Sequence, residues 1–103
     1  MINAKNELLD ELNRLPGVKI VCAEIERATL ITGYSSEEYE AFLRQLDFKY
    51  DNGFGSQNLY GTVWLDNGGW LERYEYDGSE QWEMKMLPEI PLKLIRPQTI
   101  AID

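Results

Sequence analysis

Residues 60–84 of the chain read YGTVWLDNGGWLERYEYDGSEQWEM. This stretch contains all three tryptophans, three of the six tyrosines and six carboxylates beside a single arginine. Asn67-Gly68 and Asp77-Gly78 are hairpin signals, because tight turns need the positive φ that glycine, asparagine and aspartate tolerate. The apolar and polar residues around them alternate as in strands. The stretch therefore predicts a three-stranded antiparallel meander over about residues 59–87.

The turn at Asn67-Gly68 determines which side chains share a face. A two-residue type I′ turn pairs Leu65 with Trp70 and Trp64 with Leu71. One face then carries Tyr60, Thr62, Trp64, Leu71, Arg73, Glu75, Trp82, Met84 and Met86. The other carries Leu59, Gly61, Val63, Leu65, Trp70, Glu72, Tyr74, Tyr76, Glu83 and Leu87. Neither face is uniformly polar, so we expect one to pack on helices and the other to hold exposed aromatics, covered aromatics or a partner.

Two helices are predicted before the meander. The first begins at Asn3 or Asn6, carries a stripe of leucines at helical spacing, and ends before Pro16-Gly17. The second spans residues 36 to about 46, because Ser35 and Glu38 form a capping box ahead of an apolar face.

The β-branched residues between the helices predict two strands, over 18–25 and 28–33, with a tight turn near Glu26-Arg27. A single bent strand is the alternative, because this turn contains no glycine or asparagine. Residues 47–58 are rich in glycine and predict a loop. We therefore predict one α+β domain, residues 1–103, with both helices packed on one face of an antiparallel sheet.

The segment after the meander, LPEIPLKLIRPQTIAID, combines three prolines with seven large apolar residues. It is too apolar for a solvated tail and too rich in proline for a helix or a central strand. We expect it to lie extended along the body, covering part of the second face of the meander, or to cross to another subunit. A homodimer is predicted, formed by exchange of the tail or by stacking of the second faces, and docking of the tail on its own chain is the alternative.

The composition excludes several classes of function. The chain has no histidine and one cysteine, Cys22, so it lacks the residues of histidine-based catalysis, disulfides and most zinc sites. We expect no metal and no cofactor. The net charge is −8, and residues 35–83 carry eleven acids against three bases. Such a surface repels nucleic acid and suits a protein with a basic surface. Neither a signal peptide nor a membrane span is evident, so we expect a cytoplasmic protein.

The aromatic and acidic residues of the meander are the candidate binding site. Tryptophan and tyrosine anchor protein interfaces, and carboxylates bind basic partners. The predicted partner-binding residues are Tyr60, Trp70, Glu72, Tyr74, Glu75, Tyr76, Asp77, Glu80 and Glu83, and no catalytic residue is predicted. The hypothesis is an acidic interaction protein that binds and modulates or inhibits another protein, with carboxylates in the place of nucleic-acid phosphates. The alternative is a small ligand-binding protein or enzyme with the carboxylates and tyrosines in a pocket.

Five sequence elements follow one another between Gly33 and Pro91: GYSSEEYEAFL, LDFKYDNGFGSQ, GTVWLDNGGW, EYDGSEQWE and PEIP. In this order they resemble a family of small, uncharacterised proteins encoded by bacteriophages and prophages. The resemblance implies a phage or mobile-element setting, a bacterial host cytoplasm and a host or phage protein as partner. It implies no particular activity.

Overall fold

A computed structural model describes residues 1–53 and 55–97. Its two α-helices are α1 (Ala4–Asn13) and α2 (Ser36–Gln45). The strands of the described residues are β1 (Ile2–Asn3), β2 (Ile20–Ile25), β3 (Ala28–Leu30), β4 (Lys49–Tyr50), β5 (Gly61–Leu65), β6 (Trp70–Tyr76) and β7 (Ser79–Lys85). A 3-10 helix, Leu92–Leu94, follows β7.

The main sheet has five strands in the order β3-β2-β5-β6-β7, and every pairing in it is antiparallel. The predicted meander is confirmed as β5, β6 and β7, and the strand pair as β2 and β3. β2 pairs with β5, which joins the two parts into one sheet. The α+β prediction is therefore confirmed.

Local signals in the sequence place the helices and the first turn. The Asn3 side chain caps α1 by accepting from the Asn6 amide at 3.0 Å. The capping box of α2 is complete, because Ser35 and Glu38 each accept from the other's amide. The β2–β3 turn lies at Glu26 as predicted, with φ of 53° at this residue. Side-chain and backbone hydrogen bonds from Glu26 to Tyr60 hold this rare conformation.

The predicted register of the β5–β6 hairpin is wrong by one residue. Trp64 pairs with Trp70 and Val63 with Leu71, so the connecting loop is longer than two residues. Gly68 takes the positive φ, at 84°, and the Asn67 side chain accepts from the Gly69 amide at 2.9 Å. A one-residue slip moves every side chain of a strand to the opposite face. The β5 residues Thr62 and Trp64 therefore share a face with Trp70, Glu72, Tyr74 and Tyr76, and Val63 and Leu65 share the opposite face with Leu71 and Arg73. The predicted relation between β6 and β7 is confirmed.

The core lies between the two helices and one face of the sheet. Leu8 of α1 and Phe42 of α2 are fully buried with Val63 and Leu71 of the sheet, in one contiguous cluster. Full burial of such a side chain contributes about 1.5–3 kcal/mol. The prediction that both helices pack on one face is therefore confirmed.

Two segments differ from the prediction. Residues 47–58 are not loop throughout, because β4 pairs with β1 and brings the chain back to the start of α1. The tail does not cover the sheet over residues 86–97, all of which are exposed. The prediction that the tail covers the body is therefore wrong for this part of the tail. The tail residues Ile100 and Ile102 lie outside the described residues.

Candidate functional site

One face of the five-stranded sheet packs on the helices, and the other carries a mixture of aromatic and acidic side chains. We call the second face the open face. Strand alternation and the observed register assign to it Cys22, Glu24, Thr29, Thr62, Trp64, Trp70, Glu72, Tyr74, Tyr76, Ser79, Gln81, Glu83 and Lys85. No helix of the described residues packs on this face.

A row of carboxylates crosses the open face. Glu24 lies opposite Thr62, Thr62 opposite Glu72, and Glu72 opposite Glu83. Side chains directly opposite one another across antiparallel strands have Cβ atoms about 5 Å apart. Glu72 and Glu83 are therefore neighbours of like charge, an arrangement that destabilises a sheet unless a cation compensates it.

Compensation within the chain is partial. Lys85 is the one cation among the described open-face residues, and its ammonium group lies 3.0 Å from Glu83 Oε1. That hydrogen bond raises the pKa of Lys85. Glu72 accepts a hydrogen bond of 2.6 Å from the indole Nε1 of Trp70, which orients its carboxylate without neutralising it. The row therefore keeps a net negative charge that a partner's cation can neutralise.

Exposed aromatic rings flank the carboxylate row. Trp64 is 44% exposed, Tyr74 43% and Tyr76 70%, and Trp70 is half-buried. Tyr74 and Tyr76 line a shallow groove of about 290 Å³ with Ser79 and Gln81. Rings of this kind can stack on an arginine guanidinium whose charge is bound by a neighbouring carboxylate.

The open face brings together five of the nine predicted partner-binding residues: Trp70, Glu72, Tyr74, Tyr76 and Glu83. Tyr60 is exposed just before β5, and its amide donates to the Glu26 side chain. Asp77 lies in the β6–β7 turn, with φ of 53°. Glu75 is exposed but belongs to the opposite face, and it accepts from the Gly78 amide at 2.9 Å.

Glu80 is the predicted binding residue that the structure excludes from an exposed surface. It is 2% exposed and lies on the helix side of β7. Its carboxylate accepts from the Asn58 and Leu59 amides and from the Arg73 guanidinium at 2.8 Å. The side chain therefore holds the loop before β5 against the sheet. The physical reason is its neighbour Arg73, a buried cation that requires an anion.

Arg73 is the centre of a buried polar cluster that links four elements. Its guanidinium, 1% exposed, pairs with Glu7 of α1 at 3.0 Å and Glu80 of β7, donates to the Tyr50 hydroxyl, and stacks over Trp82 at 4.9 Å. The Tyr50 hydroxyl in turn donates a hydrogen bond to the Glu7 carboxylate. Burial, followed by this hydrogen bond, raises the pKa of Tyr50 far above its usual value. The hydroxyl therefore stays neutral and bridges the arginine and the glutamate, which is a structural role.

A polar cavity of about 350 Å³ lies beside this cluster, between α1 and β7. Its walls include Glu7, Glu11, Glu80 and Trp82. Glu7, Glu11 and Glu80 are already paired, Glu11 with Arg14 at 3.2 Å and the other two with Arg73, and a fourth carboxylate, Asp10, also lines the cavity. Among the described residues no group of three or more metal-ligating side chains converges. Three of the four carboxylates of the cavity therefore already have an arginine as partner.

Trp64, Glu24 and Lys85 are open-face residues that the sequence prediction missed. Trp64 was assigned to the wrong face because the turn was taken as two residues. The signal that could have corrected it is the stretch Asp66-Asn67-Gly68, since a three-residue loop that ends in a left-handed glycine, here Gly68, is the next most common hairpin connection. Glu24 lies on β2, whose pairing with β5 has no local signal in the sequence.

Within the described residues, no helix has the length and apolar character needed to cross a membrane. No protein-family model, curated protein or solved structure matches the chain.

Proposed function

We propose that this protein is a non-catalytic interaction protein of phage or prophage type that binds a basic surface of a host protein through the open face, and modulates or inhibits that protein. The observation that carries the proposal is the row of carboxylates between exposed aromatic rings on a sheet face that no helix of residues 1–53 and 55–97 covers. The resemblance of five sequence elements to those of phage-encoded proteins favours a bacterial cytoplasm as the setting.

The contacts of the open face suggest how a basic side chain would bind. Trp70 and Tyr74 lie two residues on either side of Glu72 on the same strand face. An arginine that pairs with Glu72 would therefore contact an aromatic ring on either side. It would also relieve the repulsion between Glu72 and Glu83. Single-stranded nucleic acid also presents aromatic planes and regularly spaced anions. The open face would therefore bind in a groove that otherwise binds single-stranded nucleic acid.

The buried cluster makes the alternative, ligand binding or catalysis in a pocket, the weaker proposal. Its carboxylates are satisfied by arginines and backbone amides, and its tyrosine is held neutral. The hydrogen-bonding positions of these groups are therefore already occupied by the chain itself. The acids of the open face are free of these partners, which supports recognition as their role.

The test is a pull-down from bacterial host lysate with three forms of the chain: intact, Glu72→Gln/Glu83→Gln, and Asp10→Asn/Glu40→Gln. The last form is the matched control, because it removes the same charge from exposed residues of the two helices. We expect that the intact and control forms retain a host protein at low salt and that the open-face form does not retain it. Raised salt should also release it, because exposed charges are screened beyond about 8 Å at physiological ionic strength. Equal retention by all three forms would contradict the proposal.

A further inference from the structure

A second concave surface lies on the helix side, between the end of α1 and the start of α2. It has a volume of about 710 Å³ and is open to solvent. Six apolar or aromatic residues dominate its lining: Leu9, Leu12, Leu15, Val18, Tyr34 and Tyr39. We call it the helix groove. Tyr34 and Tyr39 stack with ring centroids 5.8 Å apart, and the Tyr34 hydroxyl is fixed by a hydrogen bond of 2.7 Å to the Ile20 carbonyl.

The tail offers an exposed apolar segment that has no cover in the described chain. Leu87, Ile90, Leu92, Leu94 and Ile95 are between 49% and 86% exposed. The Cα radius of gyration is 18.0 Å, against about 13 Å for a compact chain of 100 residues. Part of the chain therefore stands away from the body, and the exposed residues 86–97 follow the last strand of that body.

The start of the tail has the proline spacing of a proline-rich ligand, and the 3-10 helix Leu92–Leu94 follows it. Pro88 and Pro91 have the spacing PxxP, and Pro91 has φ of −59° and ψ of 140°, which is polyproline II geometry. Segments of this kind dock in aromatic-lined grooves, because they lose little conformational entropy on binding. The paired tyrosines and leucines of the helix groove provide such a lining.

Charge favours the same pairing. Residues 1–83 carry sixteen acids and seven bases, whereas the described tail residues 86–97 carry Lys93 and Arg96 against one acid, Glu89. The tail is therefore basic and the body acidic. The one charged residue in the described lining of the groove is the cation Lys19, so the attraction to the basic tail comes from acids elsewhere on the body and not from the groove itself.

We propose that residues 86–97 of one copy bind in the helix groove of a second copy, so that two chains form a dimer by reciprocal exchange of their tails. Once the first tail is bound, binding of the second becomes intramolecular, which strengthens a contact that is weak for a single segment. The exchange is symmetric and closes at two chains. It is independent of the proposed function, because the helix groove and the open face lie on opposite sides of the sheet.

The experiment is light scattering on the full-length chain and three variants. Leu92→Ser/Leu94→Ser alters the tail at exposed residues and leaves the core intact. Leu12→Lys places a charge in the groove, and its fold is checked by circular dichroism. Trp64→Ser/Tyr76→Ser alters the open face and is the control. We expect the intact chain and the control at about twice the chain mass of 12.0 kDa, and the tail and groove variants at the mass of a monomer.

Mixing the tail variant with the groove variant tests the exchange directly. The first has an intact groove and the second an intact tail, so at high concentration we expect a one-to-one complex that neither forms alone, and that is weaker than the intact dimer because a single tail holds it. An intact chain that is monomeric, or a tail variant that is still a dimer, would overturn the proposal. A control that becomes monomeric would also overturn it, because the tail would then dock on the open face. A Leu12→Lys chain that folds and stays dimeric would remove the helix groove from the interface.

Discussion

At the scale of single residues, Arg73 shows that burial determines how much an ion pair contributes to the stability of the fold. It lies 3.0 Å from Glu7, the same distance that separates the exposed Lys85 from Glu83, but its side chain is 1% exposed and that of Lys85 is 40% exposed. Removal of one partner from a buried pair leaves an uncompensated charge in the core. An exposed pair is hydrated and screened, so its loss has little effect.

We predict that Arg73→Ala lowers the free energy of unfolding by about 3–5 kcal/mol, because Glu7 and Glu80 lose their cation. Lys85→Ala, the matched control, should change it by less than about 1 kcal/mol. Urea unfolding followed by tryptophan fluorescence measures both. Equal losses in the two variants would show that the Arg73 cluster contributes no more than a surface pair.

Tyr50 makes stability depend on alkaline pH. Its pKa in the folded chain is raised above the usual value of 10.0 by burial first and by the hydrogen bond to Glu7 second. Below pH of about 10 the hydroxyl is protonated in the folded and unfolded chains, so its contribution to stability is complete. Above that pH the unfolded chain loses its proton first, and stability falls by up to about 1.4 kcal/mol per pH unit.

Tyr50→Phe tests this dependence. The variant loses the hydrogen bonds with Glu7 and Arg73, so it should be less stable than the intact chain at pH 8. Its stability should then decline less steeply between about pH 10 and 11, because no tyrosine proton is lost at this site. Urea midpoints across the range give both slopes. Parallel curves for the two chains would contradict a raised pKa at Tyr50.

At the scale of elements, the β5–β6 loop fixes which side chains form the open face. Gly68 has φ of 84° and no atoms near the position of an added Cβ, so substitution there is penalised by backbone conformation alone. We predict that Gly68→Ala costs about 1–2 kcal/mol of stability. Gly53→Ala is the control, because its φ is not positive and the space around it is also open. A loss as large at Gly53 as at Gly68 would contradict the observed loop.

Elements with a local signal were predicted correctly from the sequence. The capping box at Ser35 and Glu38 predicted the start of α2, and Gly78 predicted the second hairpin turn. The order of strands in the sheet depends instead on long-range pairing of β2 with β5, which no short motif encodes. The β5 faces were exchanged because two loop lengths suit Asn67-Gly68-Gly69 and differ by one residue in register.

The candidate site, like the fold, was predictable where a local turn signal fixes the strand register. The aromatic and acidic residues of β6 and β7 were assigned to faces correctly, because the turn at Asp77-Gly78 fixes their parity. Burial of Glu80 could not be inferred, because alternation places it beside Trp82 without revealing that Glu7 and Tyr50 gather around Arg73 from elsewhere in the chain. Such a cluster exists only in the tertiary structure.

At the scale of the whole molecule, the sheet separates two sides with different chemistry. The helix side contains the core, the Arg73 cluster and an apolar groove, and the open face carries partly compensated carboxylates among exposed rings. Under the proposed function, negative charge on the open face would accelerate the approach of a basic partner, and the aromatic rings there would hold it after contact. The open face is thus the binding surface in the proposed function.

The three tryptophans test this claim in one spectrum. Trp64 and Trp70 lie on the open face, whereas Trp82 is buried in the core and 5% exposed. The measurement is nuclear magnetic resonance of the three indole NH signals as the protein recovered in the pull-down is added. We predict that the signals of Trp64 and Trp70 shift on binding while that of Trp82 stays in place. Unchanged signals from Trp64 and Trp70 in a complex that has formed would contradict the account.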